Sequence, residues 1–223
     1  MAGMFTAAIF DMDGLLIDSE RAIMQAWMRA AARAGSSITE EQFRAVIGRD
    51  ARASISTLEE MLGREICHRV RVVVADQIQA AEPVEMFPVK PGAFDVLNRL
   101  RELSVPCAVA SSTISREVNR RLKSAKLFDY FQFVLGGDDV ERGKPDPALY
   151  RLAAQRLDVA PERALAFEDS GHGVAAASAA GIPVVLVPDL VPPSEATRAQ
   201  SLRVLSSLTL AMPLIDEWFS SRR

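Results

Sequence analysis

The chain has 223 residues, 49% hydrophobic and 25% charged, with 26 basic against 29 acidic residues for a net charge of -3. That is enough apolar material for one good core and a smaller second lobe, and the dispersed charge, with no basic run and no interleaved aromatics, argues against a nucleic-acid partner. Cys67 and Cys107 lie far apart in unlike segments, which matches neither a metal motif nor a secreted disulfide framework and points to a reduced, cytoplasmic setting.

The first apolar run, FTAAIF, breaks at Asp11, too early for a leader or a membrane span. It reads as a buried strand, and no membrane association is expected. Residues 18–83 then carry four helical patterns in succession: ERAIMQAWMRAAARAG, TEEQFRAVIG, SISTLEEMLG and EICHRVRVVVADQIQAAE. The run VVV at 72–74 could be a strand fragment, but Arg69, Arg71, Asp76 and Gln77 keep a helical polar face around it. The return, PVEMFPVKPGAF, has three prolines and a glycine, the composition of a hinge between lobes.

From there helical and strand-like stretches alternate: GAFDVLNRLREL, PCAVAS, SREVNRRLKSA, FQFVLGG, PALYRLAAQRL, RALAFED, HGVAAASAA and IPVVLV. Alternation of this kind predicts an α/β fold with a parallel sheet. The expected organisation is an α/β core from residues 1–17 and 84–223, interrupted by an all-helical cap at 18–83.

Ligands of open parallel sheets bind beyond the carboxyl ends of the strands, so the residues that follow each strand matter most. The first strand is followed by Asp11 and Asp13. Two unit charges ~4 Å apart repel by about 4 kcal/mol near a protein surface, so a compensating cation is expected. After PCAVA come Ser111, Ser112 and Thr113; Lys144 lies in DDVERGKPDP; Glu168 and Asp169 end ALAFED. Each has a plainer reading. Asp-Gly is ordinary turn chemistry, the serines could cap a helix, and the second acid pair could sit at a helix start. Together they suit a phosphate monoester. Carboxylates can hold magnesium, hydroxyls and N–H groups can cradle phosphate oxygens, and a lysine can neutralise developing charge. One aspartate can be the nucleophile and a second the acid and base.

DMDGLLIDSE, the serine after PCAVA, Lys144 in RGKPDP and AFEDSGHGV occur in the order of the four motifs of the haloacid dehalogenase superfamily, and the chain resembles its helical-cap branch of phosphatases and phosphomutases. The resemblance implies a Rossmann-like core with a mobile cap. It makes Asp11 the nucleophile and Asp13 the general acid and base, with both reaching magnesium, Asp13 through its backbone carbonyl. It assigns phosphate to the Ser111 hydroxyl, the Ser112 backbone and Lys144. Asp169 would ligate magnesium, with Glu168 in or just outside the coordination sphere.

In relatives, residues placed like Arg49 and Arg52 touch the non-reacting part of the substrate; a solvated role is the alternative. Asp13 argues against dehalogenation, and the lack of any lysine in residues 18–83 argues against phosphonate cleavage. The expected activity is hydrolysis of a small phosphorylated metabolite, such as a sugar phosphate or phosphoglycolate. A sugar phosphomutase of the beta-phosphoglucomutase type is the alternative. Against it, Ile23 stands where that enzyme carries a cap histidine, and SSTISRE lacks its Lys-Asn pair. Asp18 and Ser19 read as caps of the first cap helix, His172 as a loop or helix-start residue rather than a ligand. A monomer is expected.

Overall fold

The computed structural model describes residues 4–47, 51–81 and 86–219. Its centre is a six-stranded parallel sheet built from β1 (Ala7–Phe10), β2 (Cys107–Ala110), β3 (Phe133–Leu135), β4 (Ala164–Glu168), β5 (Val184–Leu186) and β6 (Arg203–Val204), ordered β3-β2-β1-β4-β5-β6. Successive side chains of a strand point to opposite faces, and β1 divides accordingly. Ala8 and Phe10 enter one core, Ala7 and Ile9 the other.

On the first face Phe10 stacks on Phe167 at 4.7 Å between ring centroids. It is covered by α5 (Ala93–Glu102), α6 (Ser115–Ser124) and α10 (Met212–Phe219) through Leu97, Leu122 and Trp218. On the second face α7 (Ala148–Arg156) and α8 (Gly171–Ala179) pack small residues, Ala153 and Ala177, against Ala108 and Ala166. The short helix α9 (Glu195–Gln200) leads to β6. The two-residue β6 and α10 were not among the expected elements. Arg203 and Val204 offer no apolar run to signal a strand.

Between β1 and β2 the chain forms α1 (Glu20–Arg33), α2 (Glu40–Arg44), α3 (Ala51–Leu62) and α4 (Arg64–Ala80). These helices share a core of their own that includes Trp27, Ala31, Leu58, Cys67, Val70 and Val74. In the VVV run Val74 is buried while Val72 and Val73 are 46% and 40% exposed, the three-to-four spacing of a helix. Thr39 and Gln42 form a reciprocal capping box at α2. Ser19 occupies the N-cap position of α1 but makes no cap hydrogen bond, so the expected cap is not formed; its hydroxyl is used elsewhere.

The helical segment is tied to the core where the chain leaves and returns. The Asp18 N–H donates to the Pro88 carbonyl and the Lys90 N–H to that of Leu16. Arg120 of α6 donates to the Ile78 carbonyl in the last turn of α4, where unpaired carbonyls favour a cation. Residues 82–85 of the proline-rich return lie outside the described residues. Among the described residues no helix is long and apolar enough to cross a membrane.

Candidate active site

The strand order reverses at β1 and β4, which are neighbours although distant in sequence, and this is where an open sheet leaves a crevice for ligands. The register aligns Phe10 with Phe167, so the next residues, Asp11 and Glu168, emerge side by side. Lys144, 3% exposed, joins them, donating from Nζ to Asp11 Oδ1 at 2.6 Å and to Glu168 Oε1 at 2.5 Å. Tyr150 of α7 also donates to Glu168 Oε1, at 2.6 Å. Glu168 Oε2 accepts from the N–H of Asp169 and from Ser170. With both oxygens engaged and no exposure, Glu168 orients the lysine. A Cβ at Gly173 would overlap its carboxylate, so only glycine lets α8 start this close.

Asp11, Glu168 and Asp169 offer carboxylate oxygens within 4.8 Å of one another. Burial pushes Asp11 up to about 8 despite the lowering influence of Lys144, with Glu168 and Asp13 raising it further. Burial, then the neighbouring Glu20 and Asp11, pushes Asp169 well above the usual carboxylate range. Burial and the charges of Asp13 and Asp11 push Glu20 up to about 9, and its Oε2 is buried without a hydrogen-bond partner. One lysine cannot offset this many acids. Such shifts are the mark of uncompensated negative charge, and a cation beside these oxygens would relieve it. The donors are hard oxygens without cysteine or histidine, which fits magnesium or calcium and not zinc. A Cβ at Gly14, where φ is +83°, would overlap Asp169. That turn thus needs glycine for both its conformation and its clearance.

Asp13 is held differently. Arg121 of α6, itself 6% exposed, donates from Nη1 to Asp13 Oδ1 at 2.6 Å. The hydroxyls of Ser19, Thr113 and Ser111 donate to the same carboxylate. Burial alone would raise Asp13, but Arg121 and these hydroxyls outweigh it and hold it below the ordinary carboxylate range. The two aspartates that a bare sequence leaves in repulsion therefore have separate cations. Lys144 was legible in sequence, Arg121 was not. Arg121 lies beside Leu122 and three residues after Val118 on a helix, and nothing local sets it apart from the other arginines.

Asp11, Asp13, Ser112, Thr113, Lys144 and Asp169 line one cavity of about 260 Å³ beneath the inserted helices. Ser111 is fully buried and is not on its wall; it accepts from the Thr113 N–H and donates to Asp13. Close packing of Gly136 and Gly137 on the backbone of Ser115 and Ser112 fixes this loop. Arg52 lines a neighbouring cavity shared with Ser112 and Lys144, and Arg49 lies outside the described residues. His172 is in the first turn of α8, on a third cavity. Tyr150, Glu20 and Gly173 join the site without having been singled out in the sequence, while Thr113, expected there, donates to Asp13. None of the three directly follows a strand, and only the folded chain sets them against Glu168 and the other acids.

Known proteins share this architecture. The chain is 36% identical over 177 residues to the phosphorylated carbohydrates phosphatase of Thermotoga maritima, covering 79% of this chain and 82% of that one. It is 34% identical over 180 residues to hexitol phosphatase A of Escherichia coli, covering 80% and 81%. The crystal structure of CbbY from Rhodobacter sphaeroides in complex with phosphate superposes with a TM-score of 0.76 at 26% identity, over 93% of this chain and 96% of that one. The profile of haloacid dehalogenase-like hydrolases matches residues 8–187. With the parallel sheet, the carboxylates after β1 and β4 and the buried lysine, this places the chain in the haloacid dehalogenase-like hydrolase family.

Proposed function

We propose that the protein is a magnesium-dependent phosphatase that hydrolyses a small phosphorylated metabolite through a phosphorylated Asp11. In the coarser sense it is a phosphoric monoester hydrolase, on which family membership and the names of its relatives agree. The observation that carries the finer reading is the buried pairing of Asp11 with Lys144 beside Glu168 and Asp169, open to one cavity.

In the first half-reaction Asp11 attacks phosphorus and the bond to the ester oxygen breaks. Asp13 gives its proton to the departing alkoxide, so the alcohol leaves neutral. In the second, water attacks phosphorus of the aspartyl phosphate and Asp13 takes its proton. Inorganic phosphate departs and the Asp11 carboxylate is restored. Lys144 stays on the phosphoryl oxygens, joined by the Ser112 backbone and by the Ser111 hydroxyl once Asp13 no longer occupies it. Asp13 beside Arg121 is ionised at rest, fit to accept a proton; before the first half-reaction it must turn away from the guanidinium and take up a proton from solvent, which the proton it later takes from water replaces in each following cycle. Asp11, Asp169 and the Asp13 backbone carbonyl would hold magnesium, with Glu168 just outside. The ion would neutralise charge on the phosphate and on the crowded acids.

The test is phosphate release by the purified chain, with magnesium and with chelator, across sugar phosphates, phosphoglycolate, nucleotides and an aryl phosphate. Metal-dependent release is expected. Conversion of a hexose 1-phosphate to its 6-phosphate without release would replace this reading with a mutase.

A further inference from the structure

The wall of the catalytic cavity opposite Asp11 is apolar. Ile23 and Trp27 of α1, Phe43 of α2, Ile47 after it, and Ile55 and Leu58 of α3 form it. Ser112, after β2, and the Glu20 carboxylate, beside Asp169, also line the cavity with the catalytic acids, and the other hydroxyls that reach it are engaged, Ser170 with Glu168. Ser54 donates to the Val46 carbonyl, and Ser19 and Thr113 donate to Asp13. Among the described residues no arginine, asparagine or glutamine lines this cavity, and Lys144 is its one lysine. A polyhydroxylated group pressed against this wall would give up its hydrogen bonds to water without replacement, which is unfavourable. An alkyl or aryl group would lose nothing and would gain from burial. The cavity measures about 260 Å³. A dry protein cavity of about 150 Å³ suffices for benzene, so a phosphoryl group and one ring, or a chain of about five carbons, fill it.

We propose that the ester hydrolysed here carries an apolar alkyl or single-ring aryl group next to its phosphate, held by Ile23, Trp27, Phe43, Ile47, Ile55 and Leu58. This rests on the phosphatase reading and narrows it, setting the chain apart from the carbohydrate and hexitol phosphatases it is similar to. The catalytic groups fix the phosphoryl end in the floor, and the inserted helices select the other end by excluding water from it.

The experiment compares n-pentyl phosphate with ribitol 5-phosphate on the full chain with magnesium. Both have five carbons and a primary alcohol as leaving group, and p-nitrophenyl phosphate serves as reference. We expect kcat/KM for the pentyl ester to exceed that for the ribitol ester by about tenfold or more, the scale on which apolar pockets discriminate. It should also rise along the series from methyl to pentyl. Ile55→Asn should shrink the pentyl-to-ribitol ratio by about tenfold; should that variant not fold, the wild-type ratio and series decide alone. Equal rates, or preference for the ribitol ester, overturn the apolar assignment and leave the phosphatase reading standing. If no ester is cleaved, p-nitrophenyl phosphate included, the phosphatase reading fails and this inference with it.

Discussion

Replacing Arg121 with methionine would keep most of the apolar stem and remove the guanidinium that Asp13 faces at 2.6 Å. Removing one partner of a buried ion pair costs about 3–5 kcal/mol because the other charge is left uncompensated. Asp13 is 19% exposed as a side chain and keeps three hydroxyl donors, which argues for the lower end. Loss of the stacking of Arg121 over Phe87, at 4.6 Å from the ring centroid, adds about 0.5–1 kcal/mol. We therefore expect a total of about 3–4 kcal/mol. Asp13→Asn leaves Arg121 only the looser Glu117, at 3.9 Å, so the double variant should be less damaging than the sum of the singles by about 1.5 kcal/mol or more. Trp27 and Trp218 lie in different clusters. In a Trp27→Phe background, urea unfolding followed by fluorescence reports on Trp218, in the sheet core with Arg121's helix. A loss under about 1 kcal/mol for Arg121→Met, or strict additivity, would refute the assignment of Arg121 as the ionic partner of Asp13.

Three further outcomes are expected. Gly173→Ala should destabilise by about 1–3 kcal/mol and lower kcat, since its Cβ displaces Glu168 from Lys144; thermal melts and initial rates check this. Asp13→Asn should slow hydrolysis of alkyl phosphates far more than of p-nitrophenyl phosphate, whose leaving group needs no proton; equal slowing of both would remove Asp13 as the acid. For the metal-free chain, Asp11 at about 8 and Glu20 at about 9 keep their protons when folded and lose them near 4 when unfolded. The stability they contribute is complete below pH about 4, falls by about 1.4 kcal/mol per pH unit for each group as pH rises, and is gone above their folded values. Asp13 acts in the opposite sense, its contribution being lost as pH falls below its ordinary range. Scanning calorimetry in chelator from pH 5 to 8 should show falling stability, and magnesium should flatten the slope; stability that rises with pH would contradict the charge assignment.

The residues legible in sequence are those whose neighbours in the chain announce them. Asp11, Ser111 and Asp169 directly follow short apolar strands, and Lys144 stands in a proline-flanked turn of a chain poor in lysine. Less legible were groups whose partners are set by the folded geometry and not by a local pattern. Ser19 has the sequence of a helix cap, yet Asp13, turned by Gly14 and Ile17, takes its hydroxyl. Arg121 sits on a helix face indistinguishable by period from its apolar neighbours, and only the packing of α6 under Phe87 buries it. Gly173 falls in the expected helical stretch HGVAAASAA, where nothing local signals that a glutamate side chain crowds it. The apolar side chains of α1 and α3 have helical spacing that means core, and sequence does not tell which of them, like Ile23 and Ile55, face a cavity.

As the proposed nucleophile, Asp11 carries the phosphoryl group during turnover. The most direct measurement is to mix the chain with magnesium and a cleaved ester, quench in the first turnover, reduce with borohydride and sequence the peptide spanning residues 7–17 by mass spectrometry. Reduction of an acyl phosphate would convert residue 11 to homoserine, with none in the Asp11→Asn variant, which should also release no phosphate. Phosphate release by that variant at the rate of the parent chain, or reduction at a different carboxylate, would contradict it.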